Sequence, residues 1–137
     1  MSRPILLDTC AVIWIIQGAA LRGEAEALLA EAEAEAGGVV VSPMTAWEIG
    51  VLVSRGRLAL SRDPAAWFGS LLDAGVALAP LSPQVLIASS FLPGAKLRDP
   101  ADRILAATAR AFDYRLMTRD HLLLDYGAEG HLAVIAC

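Results

Sequence analysis

Four times in this chain of 137 residues a small oxygen-bearing side chain is followed at once by proline: Ser42-Pro43, Asp63-Pro64, Ser82-Pro83 and Asp99-Pro100. Each pair reads as a helix start. The side-chain oxygen accepts a hydrogen bond from an orphan backbone N–H of the first turn, and proline suits the first helical position, where its missing N–H would have no partner. The pairs predict helices from Pro43 to about Arg55 with Gly56 as the stop, from Pro64 to Asp73, from Pro83 to about Phe91, and from Pro100 to Phe112. Leu21 to Ala36 is rich in Ala and Glu and reads as another helix, ended by Gly37-Gly38. Asp8 or Thr9 opens a further helix over Cys10 to Gln17, and Asp120 to Asp125 makes a helical turn or two. Short apolar runs of strand length fall between them: Ile5–Leu7, Val39–Val41, Val76–Leu78, Leu116-Met117 and Leu132–Ile135. Strands that alternate with helices predict an α/β fold with a central, mainly parallel sheet of about five strands and helices on both faces. The length suits one domain covering residues 1-137.

Composition excludes several classes. With 56% hydrophobic and 19% charged residues, disorder is not expected. A mean hydropathy of +0.54 raises the membrane question. The longest candidate span, Leu71 to Leu92, is broken by Asp73, Gln84 and two prolines, short of the ~18 uninterrupted apolar residues a span needs. The N-terminus makes a poor signal peptide, so the expected setting is cytoplasmic, away from membranes. Cys10 and Cys137 lie at opposite ends of the sequence, and His121 and His131 are isolated, which argues against a zinc site or a disulfide framework.

The net charge of −4 is unevenly spread. Before Ser54, Arg3 and Arg22 face seven acids; between Lys96 and Arg119, six basic residues face three acids. Proteins that bind nucleic acid by bulk charge are usually basic. A polyanion would have to be received locally here, or through a bound cation.

Four acids interrupt or follow apolar sequence. Asp8 ends Pro4-Ile5-Leu6-Leu7, and Asp120 follows Leu116-Met117-Thr118-Arg119. Glu48 lies in Ala46-Trp47-Glu48-Ile49-Gly50-Val51-Leu52, a helix apolar nearly all round, where a Glu is seldom buried without a partner. Asp102 shares a helix face with Asp99. Taken singly, each has a plain structural reading: Glu48 as a solvated stripe, Asp99 as a cap, Asp102 as a charge favouring its helix dipole, and Asp120 beside a cap at Thr118. Taken together, all four fall at strand-to-helix positions, and in a parallel sheet those positions share one edge. Several carboxylates in one cleft repel one another, and oxygen-only ligands suit Mg²⁺ or Mn²⁺. Such ions activate water for phosphodiester hydrolysis. Trp14, Trp47 and Trp67 read as core or interface aromatics, the run Glu24 to Glu35 as a solvated helix face, and Cys10 as a small buried residue.

The whole chain resembles the PIN-domain family, and within it VapC-like toxins of type II toxin–antitoxin pairs. The resemblance is carried in order by Leu6-Leu7-Asp8-Thr9, Ser42-Pro43-Met44-Thr45-Ala46-Trp47-Glu48-Ile49, Arg98-Asp99-Pro100-Ala101-Asp102-Arg103-Ile104-Leu105, and Leu116-Met117-Thr118-Arg119-Asp120. It implies a three-layer α/β/α fold and Mg²⁺- or Mn²⁺-dependent ribonuclease activity. It puts the metal-binding, catalytic quartet on Asp8, Glu48, Asp102 and Asp120, with Asp99, Thr118 and Thr9 in support. Cys10 stands where relatives often carry His or another polar residue, beside the site. The resemblance also implies an RNA substrate, a homodimer or larger assembly, and a VapB-like antitoxin through which alone operator DNA is bound. A basic side chain of that partner would enter the acidic site. The charged quartet suits a bidentate Arg, and the apolar residues Trp14, Ile15, Trp47, Val51, Trp67 and Phe68 suggest a surface for self-association. A receiver domain would need a phosphoacceptor Asp after the third strand, and Val76 to Leu81 offers none. A dehalogenase-like phosphatase would need Asp at position 10. A non-catalytic interaction module would not bind Mn²⁺ through these acids.

Overall fold

The computed structural model describes residues 2–21, 23–94 and 96–137. Five short strands form one sheet: β1 (Ile5–Leu7), β2 (Val39–Val41), β3 (Ala77–Leu78), β4 (Arg115–Thr118) and β5 (Val134–Ala136). All neighbours pair in parallel, in the order β3-β2-β1-β4-β5. The helices are α1 (Thr9–Ile16), α2 (Gly23–Glu33), α3 (Pro43–Ser54), α4 (Pro64–Asp73), α5 (Pro83–Ala88), α6 (Pro100–Phe112) and α7 (His121–Ala128).

Strand periodicity divides the core in two. Ile5, Leu7, Val39, Val41, Met117 and Ile135 face one cluster, packed against Val12, Leu29, Ile49 and Trp67 from the first four helices. Leu6, Val40 and Leu116 face the other, against Leu105, Ala106, Leu123 and Tyr126 of α6 and α7. Alternate residues of each strand thus serve opposite helical layers, which is why the strands read as unbroken apolar runs. The result is the expected three-layer α/β/α arrangement with five strands.

All four Ser/Asp-Pro pairs cap helices. Ser42 accepts from Met44 N–H, Asp63 from Ala65 and Ala66, Ser82 from Val85, and Asp99 from Ala101. Element ends differ from the sequence expectation where side chains or packing intervene. α2 stops at Glu33 rather than Ala36, because Ala34 and Glu35 turn to tighter bonds with Glu31 O and Ala32 O. The chain there folds back so closely that a Cβ on Gly38 would lie 2.0 Å from Ala32 O. α5 stops at Ala88 rather than Phe91, and the Ser89 hydroxyl donates to Leu86 O at 2.6 Å, competing with the backbone ladder. The last strand runs over residues 134–136 rather than 132–135, in register with β4, while Leu132 is buried in the second core.

The strand order fixes where a ligand can sit. β2 and β3 lie on one side of β1, and β4 and β5 on the other. The chain reverses its winding between β1 and β4, so a crevice opens beyond their carboxyl ends. Asp8 and Thr118 stand there, next to the paired residues Leu7 and Met117.

Candidate active site at the carboxyl edge of the sheet

Asp8 occupies the N-cap position of α1 but makes no capping bond. It is buried, and its Oδ2 accepts instead from the Thr118 hydroxyl at 2.6 Å and from the Cys10 thiol at 3.1 Å. The Asp8 backbone N–H donates to Met117 O at 3.0 Å, which anchors the turn to β4. A carboxylate that declines its own cap and is instead held from the next strand is positioned for another use.

Thr118 carries the link onward. Its hydroxyl accepts from the Asp120 backbone N–H at 3.0 Å while donating to Asp8. The cap of α7 is Asp120 rather than Thr118: Asp120 Oδ1 accepts from Leu122 N–H at 2.8 Å and Leu123 N–H at 3.3 Å. The hydroxyl of Thr118 is committed to Asp8, and the longer-reaching carboxylate takes the helix start.

Glu48 is half-buried on α3, and its Oε1 accepts a 2.6 Å bond from the Thr9 hydroxyl. It therefore has the partner that its apolar helix demanded. Burial pushes its carboxyl up, the Thr9 bond pulls it down, and the charges of Asp8 and Asp99 push it up again. Asp102, in the first turn of α6, is pushed up to about 7 by burial first, then by the charges of Asp99, Asp8, Asp120 and Glu48. Asp102 feels all the other acids singled out in the sequence, so the structure brings them into one electrostatic neighbourhood. Asp99 is exposed and caps α6 through Oδ1 at 3.2 Å.

Among the described residues, the donors to each braced acid fall on a single oxygen: Oδ2 of Asp8, Oε1 of Glu48 and Oδ1 of Asp120. Orientation thus uses one oxygen of each carboxylate. The donor set suits a hard divalent cation in chemistry and in charge. Yet among the described residues no group of three or more His, Cys, Asp or Glu side chains is gathered as a ready-made metal cage. The acids around Asp102 thus share one electrostatic neighbourhood without closing into a cage.

The basic run from Lys96 to Arg119 proves to be largely structural. Arg119 donates to Cys137 O and Ala20 O and lies 3.5 Å from the Trp14 ring centre. Arg103 binds Ser89 O and Leu97 O, Arg110 binds His131 O, Arg115 binds Arg3 O, and Lys96 pairs with Glu129. Five of these six cations are thus tied to the chain itself, which leaves the carboxylates as the feature that distinguishes this edge. A cavity of about 490 Å³, lined by Arg3, Arg110, Asp113, Tyr114 and His131, opens at the amino ends of the strands and contains none of the four acids.

Sequence reasoning placed one contributor beside the site without a role and missed another. Cys10, read as a small buried residue next to the site, touches Asp8, and its thiol is pushed up to about 12 by burial and by the Asp8 charge. Thr45, which is fully buried, has its hydroxyl 3.0 Å from that of Thr9. Its place three residues before Glu48 was the available signal. The apolar surface keeps Trp47 from the expected set and otherwise differs from it. Trp67 is buried in the core and Trp14 lies under Arg119, whereas Trp47, Ile87 and Phe91 are 62%, 63% and 80% exposed.

A doubly flanked parallel sheet with Asp8 and Thr118 at its topological switch point defines an α/β protein with an acidic carboxyl edge. A family profile described as the PIN domain matches residues 5–128, and the chain belongs to the PIN-domain family. No curated protein matches it by sequence. Among solved structures, the chain resembles VapBC2 from Rickettsia felis bound to a DNA fragment from its promoter, at TM-score 0.68 and 14% identity over 96% of this chain and 97% of that one. DNA-bound VapBC from Salmonella typhimurium matches at 0.69 and 13%, covering 98% of each chain. FitAcB from Neisseria gonorrhoeae matches at 0.58 and 19%, covering 96% of each.

Proposed function

We propose that this chain is a Mg²⁺- or Mn²⁺-dependent endoribonuclease acting as the toxin of a type II toxin–antitoxin pair. PIN domains are nucleases as a class, and the likeness to VapBC and FitAcB structures supports the narrower reading. The observation that carries it is the meeting of acids beyond the strand ends: Asp8 held by Thr118 and Cys10, Glu48 held by Thr9, and Asp102, whose carboxyl burial and these neighbouring charges push up. So much negative charge beyond the strand ends suits a divalent cation, and a cation in turn suits a phosphodiester brought to an acidic protein.

In this reading Asp8, Glu48, Asp102 and Asp120 hold the ion, and Asp99, Thr9 and Thr118 support them. What the ion supplies when bound is neutralisation of phosphate charge and a more acidic water. Thr118 and Cys10 orient Asp8, and Thr9 orients Glu48. Asp102, whose carboxyl is pushed up to about 7 by burial and by the neighbouring acids, would give up its proton to hold the ion. Among the described residues no helix is long and apolar enough to cross a membrane, in keeping with action on cytoplasmic RNA. We further propose a homodimer, a partner of VapB type that blocks the acidic edge with a basic side chain, and contact with operator DNA only through that partner.

The test is RNA cleavage by purified protein in Mg²⁺ or Mn²⁺. Asp8→Ala and Asp102→Ala each lower the rate by at least ~10²-fold, in line with other lost transition-state contacts. Parent-like cleavage by both variants overturns the assignment. Cleavage by the parent in excess chelator overturns the metal.

A further inference from the structure

The four acids sit on separate elements, and something must hold Glu48, which comes from a helix, in step with Asp8, which comes from a strand end. Thr9 is the first residue of α1 and follows Asp8 directly. Thr45 lies in the first turn of α3, three residues before Glu48 and on the same helix face. The two hydroxyls are 3.0 Å apart, both residues are buried, and Thr9 Oγ1 is 2.6 Å from Glu48 Oε1.

The direction of these bonds follows from proton counting. A carboxylate only accepts. The single proton of Thr9 therefore goes to Glu48 along the shorter bond, and Thr45 must donate to Thr9. The three groups form one directed chain, Thr45 O–H to Thr9 Oγ1 and Thr9 O–H to Glu48 Oε1. A buried helical threonine has a cheaper way to satisfy its hydroxyl, as Thr108 does here by donating to Ile104 O, four residues back, at 2.7 Å. For Thr45 that carbonyl is Val41 O, which accepts from Ala79 N–H at 2.9 Å. The Thr45 hydroxyl is directed across to α1 instead.

We propose that Thr45 is a positioning residue for Glu48, acting through the hydroxyl of Thr9 to fix one carboxylate of the acidic site against α1. Both side chains are β-branched and stiff about χ1, so the chain of bonds holds an angle as well as a distance. The inference rests on the nuclease reading of the site and deepens it. Partners that orient metal ligands typically matter by 10–100-fold in affinity or rate. For a residue one bond further out, about tenfold is expected.

The experiment measures Mn²⁺ affinity by calorimetry on the full chain, with kcat and KM for RNA cleavage and thermal melting alongside. Thr45→Val keeps the shape and loses the donor. It should melt close to the parent, bind Mn²⁺ about tenfold more weakly and lose kcat with little change in KM. Thr45→Ser keeps the hydroxyl and loses the methyl, and should restore affinity and kcat. Parent-like Mn²⁺ affinity in Thr45→Val overturns the inference. So does a loss in Thr45→Ser equal to that in Thr45→Val, which would assign the effect to packing. Glu48→Gln separates the two levels of argument: if it weakens Mn²⁺ binding while Thr45→Val does not, the site reading stands and the inference falls. If Glu48→Gln binds Mn²⁺ as the parent does, both fall.

Discussion

At the scale of single residues, Asp102 reports on the site. Its carboxyl sits at about 7 against an ordinary 3.8, so between those values the folded chain binds a proton that the unfolded chain has released. Its contribution to stability is fully present below about 4 and is lost as the pH rises through 7. In the presence of chelator, the melting temperature should therefore fall as pH rises across that window, and Asp102→Asn should flatten the slope. An Asp102→Asn protein with the parent's slope would contradict the assignment. Asp99 gives the control. Its charge is the largest electrostatic cause of the rise after burial, while its Oδ1 caps α6. Asp99→Asn keeps a capping oxygen and removes the charge. It should keep the fold, lower the Asp102 carboxyl as followed by NMR titration, and retain most cleavage activity.

At the scale of elements, capping and close packing govern different parts of the chain. The Ser/Asp-Pro pairs act locally, and every helix they announce is found. Packing decides Gly127, inside α7, where a Cβ would lie 2.5 and 2.8 Å from the two methyls of Val134 on β5. Glycine in a helix interior ordinarily weakens it by roughly 0.5–1 kcal/mol relative to alanine. Here the sign reverses, because α7 can lie this close to β5 only without a side chain. Gly127→Ala should destabilise by about 1–3 kcal/mol in urea unfolding, the range for overpacking. The double variant with Val134→Ala should be less destabilised than the two single changes added together. Simple additivity would show that the contact is not what makes position 127 a glycine.

At the scale of the whole molecule, five of the six cations between Lys96 and Arg119 hold the fold, while four acids gather around the carboxyl edge of the sheet. Arg119 ties the carboxyl-terminal Cys137 to the turn after α1, and Arg115 ties β4 to the residues before β1. A molecule of net charge −4 whose site is acidic is suited to a basic inhibitor. Exposed Trp47, Ile87 and Phe91 offer apolar surface for assembly. Co-expression with the product of the neighbouring gene should yield an inactive complex in which a basic side chain lies within hydrogen-bond distance of the quartet. Light scattering of the same preparation should give at least two copies of this chain. A neighbour that neither binds nor relieves growth inhibition would defeat the partner proposal.

What the sequence by itself determined is the alternation of strands and helices and the helix starts, and it singled out the candidate acids. Caps, prolines and apolar periodicity act over a few residues, so they can be read without the fold. The exact ends of α2 and α5 were not legible, since the tight turn at Gly38 and the Ser89 hydroxyl bond depend on the folded path. The strand order also belongs to the tertiary structure, because β1 gains its neighbours β2 and β4 from distant sequence. The same is true of the braces. Thr118 reaches Asp8 across 110 residues, and Thr9 reaches Thr45 and Glu48 across 36 and 39. A hydroxyl can cap its own helix, bond its own backbone or reach a distant carboxylate. Only the meeting of β1 with β4, and of α1 with α3, selects the last.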